Sequence, residues 1–320
     1  MRYELSDLQT FLAVLDHGTV TAAAARLNLA KSVVSKRIGN LEAALGAALF
    51  RRNAGRITPT EAAQRLAERL RPALAELAAA AESAAWGMDG AAPLRGTLRI
   101  AAPMSFGTMY LGPIIARFAA ANPELEIIAD YDDRARDLPR EGFDVGIRIG
   151  EARDGALKAR KLCEDRIIAC ASPDYLAAYG TPAMPADLSR HQVIGYSHVP
   201  NAQTWQFRQG DRMIAAPVHS RLSLNNGEAM RDMAEAGLGI AMLPGFIAAQ
   251  PLRQGRLVPV LADYSARTLP IAAVWPPVEP MPPKLRRFVD HLVAELDGGK
   301  PWQDPGLEQP LDQPQIVQPD

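Results

Sequence analysis

The stretch GTVTAAAARLNLAKSVVSKRIGNLEAALG, residues 18–46, decides the fold of the first part of the chain. It holds two patterns that are typical of helices, separated by a short break. The first begins at Thr19 or Thr21 and ends at Leu27, and its four consecutive alanines allow close helix packing. The second covers Lys31–Leu45 and stops at a glycine, which favours the end of a helix. Two short helices joined by a tight turn predict a helix-turn-helix.

The second of these helices has an apolar face and a polar face. Apolar residues spaced four, three and four positions apart are expected to pack inward: Val34, Ile38, Leu41 and Leu45. The opposite face suits the DNA major groove, because basic and hydroxyl side chains reach base edges and phosphates there. The residues expected to contact DNA from this helix are Lys31, Ser32, Ser35, Lys36 and Arg37.

Two further elements flank the helix pair. An apolar stripe over residues 5–15 predicts a preceding helix with Ser6 or Asp7 as its N-cap. The basic stretch after Phe50 predicts a β-hairpin wing, and Arg52 and Arg56 are expected to hold phosphate from it. The same basic face also fits a solvated three-helix bundle that does not touch DNA.

The charge of the chain is unevenly distributed. The 320 residues carry 35 basic and 36 acidic side chains, and the net charge is −1. Residues 26–71 alone have a balance of +7, whereas residues 72–320 have a balance of −6. A total near zero therefore does not exclude nucleic acid, because the basic block coincides with the predicted helix-turn-helix and wing.

These residues and spacings resemble the LysR-type transcriptional regulators. The matching stretches are Gly18-Thr-Val-Thr-Ala-Ala-Ala-Ala-Arg-Leu27, Ser35-x-x-Ile38-x-x-Leu41-Glu42-x-x-Leu45-Gly46 and Leu49-Phe50-x-Arg52. The chain departs from the family pattern at Ala30, which replaces a Ser or Thr cap, and at Gly55, which replaces a wing arginine. Pro59 and Ala63 replace the usual Leu and Gly. The resemblance implies a winged helix-turn-helix domain over residues 1–59.

A long helix is predicted next, within residues 60–88. Its leucines repeat on one face at Leu66, Leu70, Leu74 and Leu77. Pro72 lies inside this pattern and is expected to kink the helix or cost it a hydrogen bond. The stripe is too short to prove a coiled coil, so a helix packed within its own chain remains an alternative. The family resemblance favours a dimerisation linker.

From residue 93 the pattern changes to strands alternating with helices, which predicts parallel α/β layers. This part resembles the two-lobed effector domain of the same family, which is similar to periplasmic binding proteins. The resemblance implies an effector-binding domain over residues 93–297. Its first lobe is expected at about 93–165 and 268–297 and its second at about 166–267, with crossings near 164–168 and 262–269.

Ligands of open α/β sheets bind beyond the carboxyl ends of the strands. Ser105 follows the first strand and is expected to cap the next helix, where its hydroxyl and the amide of Phe106 favour an anion. Plain helix capping explains Ser105 equally well. Arg148 ends the third strand and suits a carboxylate, although a structural salt bridge is as good an explanation. The remaining candidates for the effector site are Ile149, Tyr196 and Asn225, which together with Asn226 precedes a helix predicted to start at Gly227.

The sequence argues against several other classes of protein. Two cysteines, Cys163 and Cys170, are too few for a disulfide-built fold and are expected to be buried thiols. The five histidines show no metal-ligand spacing, and no nucleotide loop or nucleophile elbow occurs, so no enzyme activity, metal or cofactor is expected. The first residues include acidic side chains and no apolar run. A cytoplasmic protein with no membrane partner is therefore expected.

Taken together, these features predict a transcriptional regulator whose binding to double-stranded operator DNA responds to a small molecule. A small carboxylate is the expected effector, and a homodimer or homotetramer is the expected assembly. Residues 298–320 are rich in proline and are expected to form a disordered tail. The alternative is a solute-binding or enzymatic α/β protein whose helical N-terminus does not bind DNA.

Overall fold

The computed structural model describes residues 3–53, 56–85, 93–150, 155–198, 203–210, 212–264, 268–297 and 302. It divides into two compact units, of which the first consists mainly of Met1–Ala85. The second unit contains the α/β part of the chain. No helix in the described ranges is long and apolar enough to cross a membrane.

The first unit is built from helices and one hairpin, in the order α1 (Leu5–His17), α2 (Val20–Arg26), α3 (Lys31–Leu45), β1 (Phe50–Asn53), β2 (Arg56–Pro59) and α4 (Glu61–Ala85). Thr19 caps α2 by accepting the Ala22 amide over 3.1 Å. The N-cap of α1 is Glu4, so the prediction of Ser6 or Asp7 was wrong. Asp7 lies one turn inside, where its carboxylate accepts the Glu4 amide over 3.0 Å.

The core of this unit joins α1, α2 and α3 with the wing and the start of α4. On α3 the predicted inward residues Val34, Ile38 and Leu41 are buried. Leu45 is 38% exposed and was wrongly assigned to the core. It lies in the last turn of α3, directly before Gly46, whose positive φ of 65° ends the helix.

A carboxylate attaches the wing to α3. Oε1 of Glu42 accepts the amides of Leu49 and Phe50 over 2.7 and 3.1 Å. Directly after the second strand, Thr60 caps α4 by accepting the Ala63 amide over 3.2 Å. These bonds fix the open end of the hairpin against α3 and α4.

The leucine stripe of α4 does not form one continuous free seam. Leu70 is buried in the core of its own unit, and Leu66 and Leu74 pack against that core. For these three leucines the structure shows packing within the chain, which was the alternative that the sequence left open. Leu77 is 52% exposed, and the helix continues through Pro72 to Ala85.

The second unit begins with β3 (Gly96–Ala102), α5 (Met104–Phe106), a π-helical turn (Gly107–Leu111), α6 (Gly112–Ala121), β4 (Leu125–Tyr131), α7 (Leu138–Glu141), β5 (Val145–Ile149) and β6 (Lys158–Ala171). It continues with α8 (Pro173–Tyr179), a 3-10 helix (Pro185–Arg190), β7 (Val193–Tyr196), β8 (Thr204–Gln209), β9 (Arg212–Pro217) and β10 (Leu222–Leu224). The last elements are α9 (Gly227–Glu235), β11 (Ile240–Pro244), α10 (Gly245–Arg253), β12 (Val258–Pro259), β13 (Thr268–Trp275) and α11 (Pro283–Asp297).

The main sheet has the strand order β10-β7-β11-β6-β13-β5-β3-β4. We call the part built on β3, β4, β5 and β13 the first half and the part built on β7, β10, β11 and β12 the second half. Within each half, β3 pairs in parallel with β4 and β5, and β7 pairs in parallel with β10 and β11. These pairings confirm the parallel layers within each half, whereas β6 and β13, which carry the chain between the halves, pair antiparallel.

The strand β6 belongs to both halves. Its residues up to Arg166 pair with β13, and from Ile167 onwards they pair with β11. This crossing lies inside the segment predicted for it. The chain returns between Pro259 and Thr268, and part of that return lies outside the described residues. Both cysteines are buried, and burial raises the pKa of Cys170 to about 12.

The predicted disordered tail falls outside the described residues with one exception. Trp302 is 3% exposed and packs into the core of the second unit. The prediction was wrong for this residue, because the apolar surface of an indole favours burial even in a proline-rich segment.

Candidate functional site

The outward face of α3 is accessible. Lys31, Ser32 and Lys36 are exposed, and Ser35 is half-buried. Arg37 is half-buried as well, and its guanidinium donates to the hydroxyl of Thr10 on α1 over 3.2 Å. The sequence placed Arg37 among the DNA contacts, and its contact with a residue 27 positions away was not foreseeable from local pattern.

The ends of the predicted reading helix and wing lie where the sequence placed them. Ala30 is the N-cap of α3 and offers no side-chain cap. In the hairpin, Arg52 pairs with Ile57 and Arg56 with Asn53. The side chains of both arginines, and residues 54–55 with the departure at Gly55, lie outside the described part of the chain.

The second unit contains a cavity of about 620 Å³ at the carboxyl ends of β3, β5 and β7. Its apolar walls come from both halves and include Phe106, Ile147, Ile149, Ile194, Trp205, Met230, Met242, Phe246, Ile247 and Leu269. Its polar lining includes Ser105, Asp132, Asp133, Arg134, Arg136, Arg148, Tyr196, His198, Thr204 and Gln206. A volume of this size suits a small organic molecule.

Five of the six predicted effector residues line this cavity, namely Ser105, Phe106, Arg148, Ile149 and Tyr196. Asn225 is exposed and is not among the lining residues. Its neighbour Asn226 is not a lining residue either, but it contacts one. Its amide nitrogen donates to the Ser105 hydroxyl over 3.3 Å, and its oxygen caps α9 by accepting the Ala229 amide over 2.9 Å. The N-cap preference of asparagine directly before a helix start distinguishes Asn226 from Asn225.

Ser105 does not cap its helix as predicted. Pro103 is the N-cap, and Ser105 lies in the first turn with its side chain buried. The helix begins two residues earlier than predicted, because the Asp133 carboxylate accepts the Met104 amide over 2.8 Å and satisfies the exposed helix end from outside. The Gly107 amide is already used, since it donates to the Pro103 carbonyl over 2.8 Å. Of the residues in this first turn, Ser105 and Phe106 line the cavity.

The charged lining residues differ in their partners. Arg134 donates to Asp132 over 2.8 Å, and this guanidinium together with the Arg134 amide holds the pKa of Asp132 at about 2. Arg136 pairs with Asp130 over 2.8 Å. The described hydrogen bond of Arg148 goes to the neutral carbonyl oxygen of Arg136 instead of a carboxylate. Among these three arginines, Arg148 is therefore the one whose described contact does not neutralise its charge.

A second polar contact joins the halves at the cavity. The Tyr196 hydroxyl donates to the Asp133 carboxylate. Burial raises the pKa of Asp133 above its usual range, and burial followed by the nearby Asp133 raises the pKa of Tyr196. The His198 ring lies 5.7 Å from the Tyr196 ring. Tyr196 and His198 lie 63 and 65 positions after Asp133 in the sequence, so only the fold brings them to it.

Several cavity residues have no signal in the sequence. Trp205 lies in the β8–β9 hairpin, and Phe246 and Ile247 lie in the first turn of α10. Their apolar character alone is that of core residues. Among the described residues, no group of acidic, histidine or cysteine side chains is arranged to hold a metal ion.

A winged helix-turn-helix with a basic reading helix, followed by an α/β unit with an interior cavity, defines a ligand-responsive DNA-binding regulator. Comparison with known families supports this class. The model described as "Bacterial regulatory helix-turn-helix protein, lysR family" matches residues 5–64. The model "LysR substrate binding domain" matches residues 91–297.

Individual relatives match over nearly the whole chain. The regulator PtxR of Pseudomonas aeruginosa is 33% identical over 298 residues, covering 93% of this chain and 94% of the relative. The full-length structure of the Vibrio cholerae virulence activator AphB has 28% identity and a TM-score of 0.60, covering 91% and 99% of the two chains. CrgA of Neisseria meningitidis has 29% identity and a TM-score of 0.58, covering 92% and 99%.

The chain belongs to the LysR-type transcriptional regulator family. It is a DNA-binding transcriptional regulator with a C-terminal effector-binding domain. Its relatives are transcriptional regulators and not enzymes, which argues against the alternative of a solute-binding or enzymatic protein. The family binds DNA and small-molecule effectors and forms oligomers.

The close approach of Gly107 to Tyr131 gives a testable prediction about the cavity helix. A Cβ at Gly107 would lie 2.7 Å from atoms of the Tyr131 ring, so Gly107→Ala should lower the free energy of unfolding by about 1–3 kcal/mol. All four tryptophans follow residue 85, so tryptophan fluorescence in a urea titration reports on the second unit. At Gly112 the nearest contact would be an ordinary 3.5 Å, so Gly112→Ala is the matched control. Equal stabilities of the two variants would contradict the prediction.

Proposed function

We propose that α3 reads operator DNA in the major groove. The observation that carries this proposal is the exposed basic and polar face of Lys31, Ser32 and Lys36 on the second helix of a helix-turn-helix. Ser35 adds a half-buried hydroxyl to the same face. Arg37 contributes from the side, because its bond to Thr10 also fixes α3 against α1. Arg52 and Arg56 in the hairpin are the proposed phosphate contacts.

In this proposal residues 1–59 form the DNA-binding domain, 60–88 join subunits, and 93–297 bind the effector. One of the departures from the family pattern bears on DNA contact at the start of α3. Ala30 removes a side-chain cap from α3 and leaves its first turn to be satisfied by DNA phosphate or water. Since its target is chromosomal operator DNA, the protein acts in the cytoplasm.

Substitution of Lys36 tests the reading helix. Lys36→Ala should weaken binding to DNA from upstream of the protein's own gene and lower the slope of log affinity against log salt by about 0.9 if one phosphate contact is lost. Gel-shift titrations between about 50 and 200 mM salt measure both quantities. Lys158→Ala removes an equally exposed lysine from the second unit and should leave them unchanged. Identical titrations for Lys36→Ala and the unmodified protein would contradict the assignment.

We propose that the effector is a small carboxylate with an apolar body. Arg148 offers a positive charge whose described partner is only a carbonyl oxygen, and the Ser105 hydroxyl and first-turn amides add donors nearby. Phe106, Ile149 and the other apolar walls suit the rest of the molecule. Tyr196 adds a polar wall from the second half.

A thermal-shift screen tests the effector class. Small aliphatic and aromatic carboxylates are compared with their uncharged amides, and a true effector raises the melting temperature with concentration. We expect the carboxylates alone to do so, and Arg148→Gln to abolish the shift because the charge-assisted bond is lost. Arg160→Gln, an exposed arginine of β6, is the control. Stabilisation by the amides, or a shift that survives in Arg148→Gln, would contradict the proposal.

We propose that the second half of α4 joins two subunits into a dimer, from which a tetramer can be built. The first half of the helix packs on its own core, whereas Leu77 is 52% exposed among residues that are exposed too. An exposed apolar side chain on a helix gains by burial against a second copy. A dimer would read two half-sites related by its twofold symmetry.

Substitution of Leu77 tests this assembly. Leu77→Asp should shift the protein toward smaller species in light scattering coupled to size exclusion, because a buried unpaired carboxylate opposes association. Gln64→Asp introduces the same group at an exposed position in the first turns of α4 and should leave the mass unchanged. An unaltered mass of Leu77→Asp across a dilution series would place the interface elsewhere.

A further inference from the structure

Four aromatic rings form a cluster beside the cavity. Phe106, Tyr110, Phe246 and Trp302 contact one another in every pairing, with ring centroids 4.5–6.1 Å apart. The shortest distance, 4.5 Å, joins Tyr110 to Trp302, and most of the pairs meet edge to face. Such pairs stabilise beyond the apolar area that they bury.

The cluster joins the two halves of the effector-binding unit. Phe106 and Tyr110 follow β3 in the first half, and Phe246 begins α10 in the second half. The Tyr110 hydroxyl donates to the carbonyl of Phe246 over 2.9 Å. The Phe246 amide donates to Asp165 of β6 over 3.2 Å, at the point where that strand crosses. Trp302 therefore packs on the seam between the halves.

The same rings also shape the cavity. Phe106 and Phe246 are wall residues of the cavity, and both lie within 6.1 Å of the Trp302 ring. Trp302 itself is not among the lining residues. Trp302 lies behind these two wall residues. A change in its position would alter the packing of Phe106 and Phe246 without removing a residue that lines the cavity.

We propose that Trp302 acts as a latch between the two halves. Its side chain packs across the seam and holds the two cavity walls, Phe106 and Phe246, in a fixed relative position. Trp302 is thus a positioning residue for the effector cavity. The latch makes its full set of contacts only when both halves are in place, so by linkage its release favours states in which they move apart. The proposal goes beyond effector binding and does not depend on the class of effector.

The indole N–H indicates which property of Trp302 matters. Nε1 is buried with no hydrogen-bond partner among the described residues. An unsatisfied buried donor opposes burial, so the ring contacts must outweigh that cost. The edge-to-face ring contacts, and not the N–H group, therefore hold Trp302 in place. Phenylalanine keeps an aromatic ring and removes the donor, whereas alanine removes both.

Hydrogen exchange with mass spectrometry on the full chain tests the latch. Trp302→Ala should speed exchange in the 104–111 segment of the first half and in the 245–253 segment of the second half together, and lower the melting temperature by several degrees. Trp302→Phe should keep both segments protected. Helix α8, far from the cluster in the core of the second half, should be unaffected in every variant.

Two truncations separate the latch from the rest of the tail. A chain that ends at Trp302 should behave as the full chain does, and a chain that ends at Asp297 should behave as Trp302→Ala does. Unchanged exchange in both segments of Trp302→Ala would overturn the proposal. Faster exchange in only one segment or only in α11 would also overturn it, because the residue would then be local packing. If Trp302→Phe lost as much protection as Trp302→Ala, the inference that ring contacts hold Trp302 in place would be contradicted.

Discussion

The second unit depends on one strand that is hydrogen bonded to both halves. β6 pairs with β13 up to Arg166 and with β11 from Ile167, so the cavity lies beside the point where it changes partners. Asp165 at this point is buried and accepts the Phe246 amide in the first turn of α10. A β ladder keeps its register because a shift by one residue would reverse every side chain. The position of Phe246, and with it that of the aromatic cluster, follows from that register.

Across the cavity, direct polar contacts hold the halves together without an effector. Asn226 reaches Ser105, Tyr196 reaches Asp133, and Tyr110 reaches the carbonyl of Phe246. Each contact pairs a group of one half with a group of the other, so a ligand that inserts between them must replace hydrogen bonds as well as water. The charges of Arg134 and Arg136 are neutralised by Asp132 and Asp130, respectively. The available positive charge of the lining is therefore concentrated at Arg148.

Local pattern predicted the elements whose signals are local. The bounds of α3 were exact, because Lys31–Leu45 ends at a glycine. The cavity was predicted in part, since strand ends indicate Ser105 and Arg148 but not Trp205 or Phe246, which arrive from distant elements. The direction of β6 depends on which strands it pairs with, and the burial of Trp302 depends on contacts with distant rings. Local sequence pattern does not encode either. Of the two neighbouring asparagines, capping preference favours Asn226, which contacts the lining residue Ser105.

The paired crossing has a consequence for how such proteins diversify. Arg166, where the chain leaves the first half, stands opposite Thr268, where it comes back. A segment whose two ends are neighbours can be exchanged for a counterpart with little disturbance of the remainder. Recombination between relatives at these two points would transplant half of a recognition pocket in one event. Such a graft would leave the DNA-reading helix and its linker untouched, so new chemical signals could be connected to an existing set of genes.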